Sequence, residues 1–167
     1  MNRTHVESVG ALPARGIYTL VIFLSKTTSL NIGKLGAHNF AKGYYAYTGS
    51  ALGPAPSSLP NRVSRHLQKK KNERWHIDYL LADENATVRA VIAILTRQRL
   101  ECKLNRAIKE SLDGRILVDG FGASDCKENC GSHLLYFGEK NVETKVISLY
   151  AEETGFHPTV FHPDESN

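Results

Sequence analysis

Three groups of side chains in this sequence have types and spacings that chemistry could use. From Arg62 to Arg74, the run "RVSRHLQKKKNER" carries Arg62, Arg65, Lys69, Lys70, Lys71 and Arg74 against the single acid Glu73, with His66 among them. Such a cluster can neutralise backbone phosphates and release their counterions; the other use of the same residues is a solvated basic face that keeps a protein in solution. In "SDCKENCGSH", Cys126, Cys130 and His133 are donor types suited to zinc, three ligands with no evident fourth beside them. Cys102, next to Glu101, could approach them in space, while packing in a small-residue loop accounts for the same cysteines without a metal. The third group is aromatic. Tyr18 in "GIYTLVIFL" and Tyr47 in "GYYAYTGSA" stand close to glycines at the ends of apolar runs. A strand Tyr ordinarily buries its ring and finds one partner for its hydroxyl, and a glycine nearby lets the backbone approach whatever that hydroxyl faces.

These groups need a scaffold. The chain has 167 residues, 41% hydrophobic and 23% charged, which suits one cored domain with tails. Residues 1–14 show no period and are expected to form a flexible arm. Residues 15–140 are expected to form the domain, including a Cys/His-containing loop at 120–133, and 141–167 an extension or tail. The two Phe-His-Pro words in "FHPTVFHPDESN" are too few for a metal-binding tract. Gly16 to Leu24 reads as a strand, "SLNIGKLGAHNFAKG" as a hairpin with a glycine-relieved turn, and "YYAYTGSA" as the next strand. The short connections favour an antiparallel meander of these segments. After the Pro- and Ser-rich loop from Leu52, Pro60 and Asn61 open a helix on which Arg62 and His66, one turn apart, project together. "WHIDYLLA" reads as a short helix, "TVRAVIAIL" as a β-branched strand, "RQRLECKLNRAIKESL" as a helix stopped at Gly114, and "SHLLYFG" as a last strand. The expected fold class is α/β (α+β), a small, mainly antiparallel sheet flanked by helices.

Lys and Arg number 21 against 17 Asp and Glu, a net charge of +4. That mild surplus is compatible with a nucleic-acid partner, and its concentration in one segment matters more than its sum. No apolar stretch approaches the roughly 18–20 residues that span a bilayer, so no membrane partner is expected. The first residues lack the apolar centre of a secretory signal, and three cysteines make no disulfide framework, so a reducing, cytoplasmic location is expected.

Taken in order, these residues resemble the GIY-YIG nuclease superfamily. Gly16-Ile17-Tyr18 matches its first signature word, and Tyr47-Thr48-Gly49 matches the second with Thr in place of Ile. Arg62 and His66 follow in the next helix, and Glu101 stands in a later one. The resemblance covers residues 16–112, and phrases such as "GYYAYTGSALG", "RVSRHL", "WHIDYLL" and "RLECKL" are similar to a branch of small prokaryotic proteins of unassigned function. It implies a metal-dependent endonuclease hydrolysing phosphodiester bonds, here expected in DNA, with Tyr18, Tyr47, Arg62, His66 and Glu101 as catalytic residues.

In that reading Glu101 holds one hard cation, magnesium or manganese, and the planar guanidinium of Arg62 forks onto the phosphate oxygens. Tyr18 is the general base or its assistant, and Tyr47 positions the water or the phosphate. A phenol with a pKa of about 10 needs neighbouring positive charge from Arg62, His66 or the metal to serve as a base, and His66 could take the proton instead. Gly16, Gly49, Arg65, Lys69, Lys70 and His76 are the expected substrate contacts. Two departures stand out: the stretch between the signature words is longer than usual in the superfamily, and the loop before Arg62 is also long; in addition, an Asn used by many relatives has a counterpart by position only, Asn105. The competing readings are a nucleic-acid-binding module that does not cut and a zinc-organised interaction domain. With no separate DNA-reading segment, specificity would come from nucleic-acid shape or from a protein partner.

Overall fold

In the computed structural model, which describes residues 4–163, every residue from Gly16 to Leu24 except Phe23 is buried. A strand buried along both faces must lie inside a sheet covered on both sides. This strand, β2 (Gly16–Leu24), follows a short first strand β1 (Thr4–Val6) and pairs antiparallel with β5 (Gly43–Ala51) on one edge and β6 (Ala86–Leu95) on the other. The hairpin between β2 and β5, built of β3 (Thr28–Asn31) and β4 (Ala37–Phe40), forms a separate two-stranded sheet. The expected meander is corrected accordingly: the second partner of β2 comes from much later in the chain. The long stretch between the signature words thus becomes a cover, with Leu30, Ile32 and Phe40 packed into one core cluster.

Helix α1 (Leu59–Leu67) starts where the Ser58 side chain accepts a hydrogen bond from the N–H of Asn61, with Pro60 in its first turn. It is followed by α2 (His76–Leu81), then β6, α3 (Glu101–Leu112), β7 (Leu134–Tyr136), α4 (Glu143–Thr154) and β8 (Thr159–Phe161). The main sheet has six strands in the order β1-β8-β6-β2-β5-β7, antiparallel at every pairing but β1 with β8. Among the described residues there are four α-helices, and the fold is mixed α/β with a mostly antiparallel sheet, as expected. No helix among them is long and apolar enough to cross a membrane.

The period-2 alternation of β2 sorts its side chains between two cores. Tyr18, Leu20, Ile22 and Leu24 join the cluster beneath α1, α2 and the hairpin, while Ile17 and Val21 join that beneath α3 and α4. Residues 143–161, expected as an extension, supply α4 and β8: Val146, Ile147, Leu149 and Tyr150 lie in the second core, and β8 pairs with β6. The expected arm also departs from expectation, since Thr4–Val6 pairs with β8 in the sheet. Residues 1–3 and 164–167 of those two segments lie outside the described residues. Beneath the site, the Thr19 hydroxyl meets Thr48 Oγ1 at 2.9 Å and the Tyr150 hydroxyl at 2.7 Å, tying α4 to the two signature strands.

Candidate functional site

Strand register brings the two phenols together. Tyr18 lies opposite Gly49, and Leu20 lies opposite Tyr47, so Tyr18 and Tyr47 project from the same face of neighbouring strands, two positions apart. Gly49 makes room for this, because a Cβ there would sit 2.8 Å from the Tyr18 hydroxyl oxygen. Helix α1 crosses above and presents His66 and Arg62. The Tyr18 hydroxyl and His66 Nε2 share a hydrogen bond of 2.8 Å in the buried interior, and His66 Nδ1 is buried without a partner. Arg62 Nη1 donates to the Ser50 carbonyl at 2.6 Å, and its guanidinium stacks over Trp75, 4.9 Å from the ring centroid. Both contacts hold the fork beside β5.

Glu101 is the first residue of α3, and its Oε2 is buried with no hydrogen-bond partner. An orphaned carboxylate oxygen is costly unless something positive faces it. Tyr18, Tyr47, Gly49, Arg62, His66 and Glu101 all line one cleft of about 540 Å³, with Trp75, His76, Arg74 and Arg99 around them. The five expected catalytic side chains therefore share a single cavity.

Electrostatics in the cleft are set chiefly by burial. Burial, reinforced by the nearby Tyr47, raises the Tyr18 pKa well above that of a free phenol, although Arg62 works the other way. Tyr47 is pushed up to about 12, by burial first, with Arg62 again opposing. The sequence reading needs neighbouring charge to lower Tyr18, and burial outweighs that charge. His66 is pulled down to about 3 by burial and by the cations Lys71, Arg62 and Arg65, against the opposing charge of Asp78. The imidazole is therefore neutral across the physiological range.

The other expected substrate contacts divide. His76 lines the cleft, where its Nδ1 accepts the N–H of Gly122 at 2.9 Å. Arg65 is used internally, its Nη2 donating to Asp78 Oδ2 at 2.7 Å and to the Asn72 carbonyl at 2.7 Å. Lys69 Nζ donates to the carbonyls of Leu81, Asp83 and Ala86 at 3.0, 2.8 and 2.5 Å, at the C-terminal end of α2 and the start of β6. Lys70 is exposed and lies outside the cleft. Gly16 lies against the Ile94 carbonyl of β6 rather than on the cleft. Much of the basic run thus closes helix ends instead of facing outward. Asn105 is buried, donating from Nδ2 to the Ser132 carbonyl at 2.8 Å, and does not line the cleft.

Asp78 was not singled out by the sequence, although an acid in the first turn of a helix is the signal that could have marked it. It is fully buried, and its Oδ2 accepts from the N–H groups of Arg74 and Trp75 as well as from Arg65. Burial opposes its ionisation, but these hydrogen bonds prevail and hold its pKa below the usual value. Asp78→Ala is expected to cost about 3 kcal/mol, because it leaves the Arg65 charge and the α2 N-terminus without their acceptor. A lower urea midpoint at unchanged m-value checks this. Because the folded pKa is depressed, this stabilisation is present above the unfolded-state value and is lost as pH falls through the folded one.

The cysteines assemble next to Glu101. Cys102 from the first turn of α3, with Cys126, Cys130 and His133 from the segment before β7, place one donor atom each within 4.8 Å of one another. Cys102 Sγ lies 3.6 Å from Cys126 Sγ and 3.7 Å from His133 Nε2. Burial works against ionisation of Cys126, but N–H groups of Cys130 and Glu128 and the side chains of His133 and Cys102 overcome it, bringing the thiol down to about 6. These four residues could hold a metal such as zinc. The fourth donor that the 126–133 stretch lacks is supplied by Cys102.

A model of the family described as "Domain of unknown function DUF123" matches residues 17–155. The chain belongs to this family. The matched span runs from β2 to the last residues of α4 and so contains every residue of the cleft named above and all four Cys/His donors. No curated protein and no solved structure matches the chain.

Proposed function

We propose that the protein is a metal-dependent endonuclease of GIY-YIG type that hydrolyses phosphodiester bonds in DNA. The supporting observation is the convergence of Tyr18, Tyr47, Arg62, His66 and Glu101, from β2, β5, α1 and α3, on one cleft. Arg62, fixed from behind by the Ser50 carbonyl and the Trp75 ring, turns its fork to the non-bridging phosphate oxygens. Tyr47 orients the phosphate or the attacking water by its hydroxyl.

Tyr18 stays a neutral phenol until reaction, and works through His66. As water attacks, a proton of it passes to the Tyr18 oxygen while the phenolic proton moves to His66 Nε2, leaving an imidazolium; the phosphorus–oxygen bond to the departing sugar oxygen breaks, and that oxygen takes a proton from solvent water. The accumulating negative charge on the phosphate favours that imidazolium. Glu101 fits a hard divalent cation, magnesium or manganese, because its Oε2 is buried and lacks any other partner; when bound, such an ion supplies positive charge opposite the phosphate oxygens.

The test is conversion of supercoiled plasmid to nicked circles, with magnesium added or omitted and no chelator present. Nicking that requires magnesium is the expected result. DNA retained in a mobility-shift assay but left intact with magnesium or manganese would favour a binding module that does not cut.

A further inference from the structure

We infer that Cys102, Cys126, Cys130 and His133 hold one zinc ion that clamps the irregular segment between α3 and β7 onto the domain and so builds one wall of the cleft. The donor chemistry and geometry both point to zinc. A tetrahedral site with Zn–S bonds of about 2.3 Å separates its donors by roughly 3.5–3.8 Å. Two of the six separations, 3.6 Å between the sulfurs of Cys102 and Cys126 and 3.7 Å from Cys102 Sγ to His133 Nε2, fall in that range, and all six lie within 4.8 Å. Cys102, Cys130 and His133 are at most 7% exposed. Four protein donors leave no open position, which makes the ion structural, distinct from any cation at Glu101.

Residues 113–133 contain neither helix nor strand, an uncommonly long irregular stretch for a cored domain. Its start is tied by an isolated bridge of Arg115 with Tyr136, and the 120–133 loop within it is closed by the Gly120 N–H to the Gly131 carbonyl and by the His133 N–H to the Phe121 carbonyl. The middle of that loop is joined to α3 by the Cys/His cluster and by an exposed ion pair of Arg106 with Glu128 at 3.4 Å. From that middle, the backbone reaches the cleft at Gly122. A Cβ there would lie 2.9 Å from the Tyr47 ring, and the Gly122 N–H is the one bound by His76. On the other side, the His133 carbonyl accepts the N–H of Thr48, the residue between Tyr47 and Gly49. A metal at this cluster therefore joins α3 beside Glu101 to the strand of Tyr47 through the loop that covers it.

The experiment uses the full chain purified under reducing conditions. One zinc per chain is expected by elemental analysis, and exchange with cobalt(II) should give the strong visible bands of a tetrahedral site with thiolate charge-transfer bands. Cys102→Ser and Cys126→Ser should each weaken zinc binding by tenfold or more. Zinc removal should speed amide exchange across 120–133, the Gly122 amide included, while β2 and β6 keep their protection. Absence of metal and of cobalt bands in the folded wild-type protein, or a Cys102–Cys126 disulfide in its place, overturns the site. Metal bound with exchange in 120–133 unchanged overturns the clamp. Glu101→Gln should retain full zinc content. Because these readouts involve no DNA cleavage, failure of the nuclease proposal would leave them standing, and their failure would leave it standing.

Discussion

Glu101→Gln should leave the unfolding midpoint unchanged or slightly raised while lowering magnesium-dependent nicking by about a thousandfold or more. Two effects on stability oppose each other. The charge at the first position of α3 favours the helix by about 0.3–1 kcal/mol, whereas a buried carboxylate oxygen without a partner costs about 1–3 kcal/mol. Gln keeps the size and loses the charge, so folding has little to lose. Cleavage has much more to lose if that oxygen is a cation ligand, since charge stabilisation at a phosphoryl centre contributes several kcal/mol. Denaturant unfolding and plasmid nicking on the same preparation read both arms. A substantial fall in stability with undiminished nicking would make Glu101 a helix-start residue and nothing more.

Tyr18→Phe and His66→Gln are each expected to slow nicking by about a hundredfold to ten-thousandfold, and the double variant no further than the slower single. That non-additivity is the signature of one relay, whereas independent roles would multiply. The pH dependence follows from the environment of His66. Held down to about 3 by burial and surrounding cations, its imidazole is neutral at any pH above about 5, so the acid limb of the rate should not fall near the ordinary histidine value. Stability carries the opposite side of the same shift. The folded pKa lies below the unfolded one, so as pH drops from about 6.5 toward 3 the unfolded chain takes up the proton first. Stability then declines by roughly 1.4 kcal/mol per pH unit from this group. His66→Gln should remove that component of the slope, and a limb near 6.5 in the wild-type rate would contradict the buried-pair mechanism.

Some of this was readable in the chain and some required three dimensions. The β-branched run of β6 and the helical spacing of Leu104 and Ile108 in α3 carry their own periods, and both elements appear where expected. The strands β1 and β8 are three residues each, too short to show alternation, and they pair across nearly the whole chain. No local pattern signals a partner so distant. Cys102 precedes Cys126 by 24 residues and sits on a helix, so ligand-spacing rules could not assign it. The charges of Lys69 and Arg65 looked like a phosphate-facing surface because composition cannot distinguish an ammonium in solvent from one closing helix carbonyls. Tyr18 and Tyr47 were identified as chemical candidates, but their common face depends on register, which the pairing of Tyr18 with Gly49 supplies. The preference of that cleft for neutral phenols and a neutral imidazole arises chiefly from burial, with the cations Lys71, Arg62 and Arg65 adding to it at His66.

Crystals of the zinc-containing protein soaked in manganese, with anomalous diffraction collected to separate the two metals, provide the most direct measurement. The expected map has manganese beside Glu101, inside the cleft and facing Tyr18 and Tyr47, apart from a zinc among Cys102, Cys126, Cys130 and His133. Manganese absent from Glu101 at saturating concentration, with that carboxylate turned away from the two phenols, would contradict the proposed chemistry.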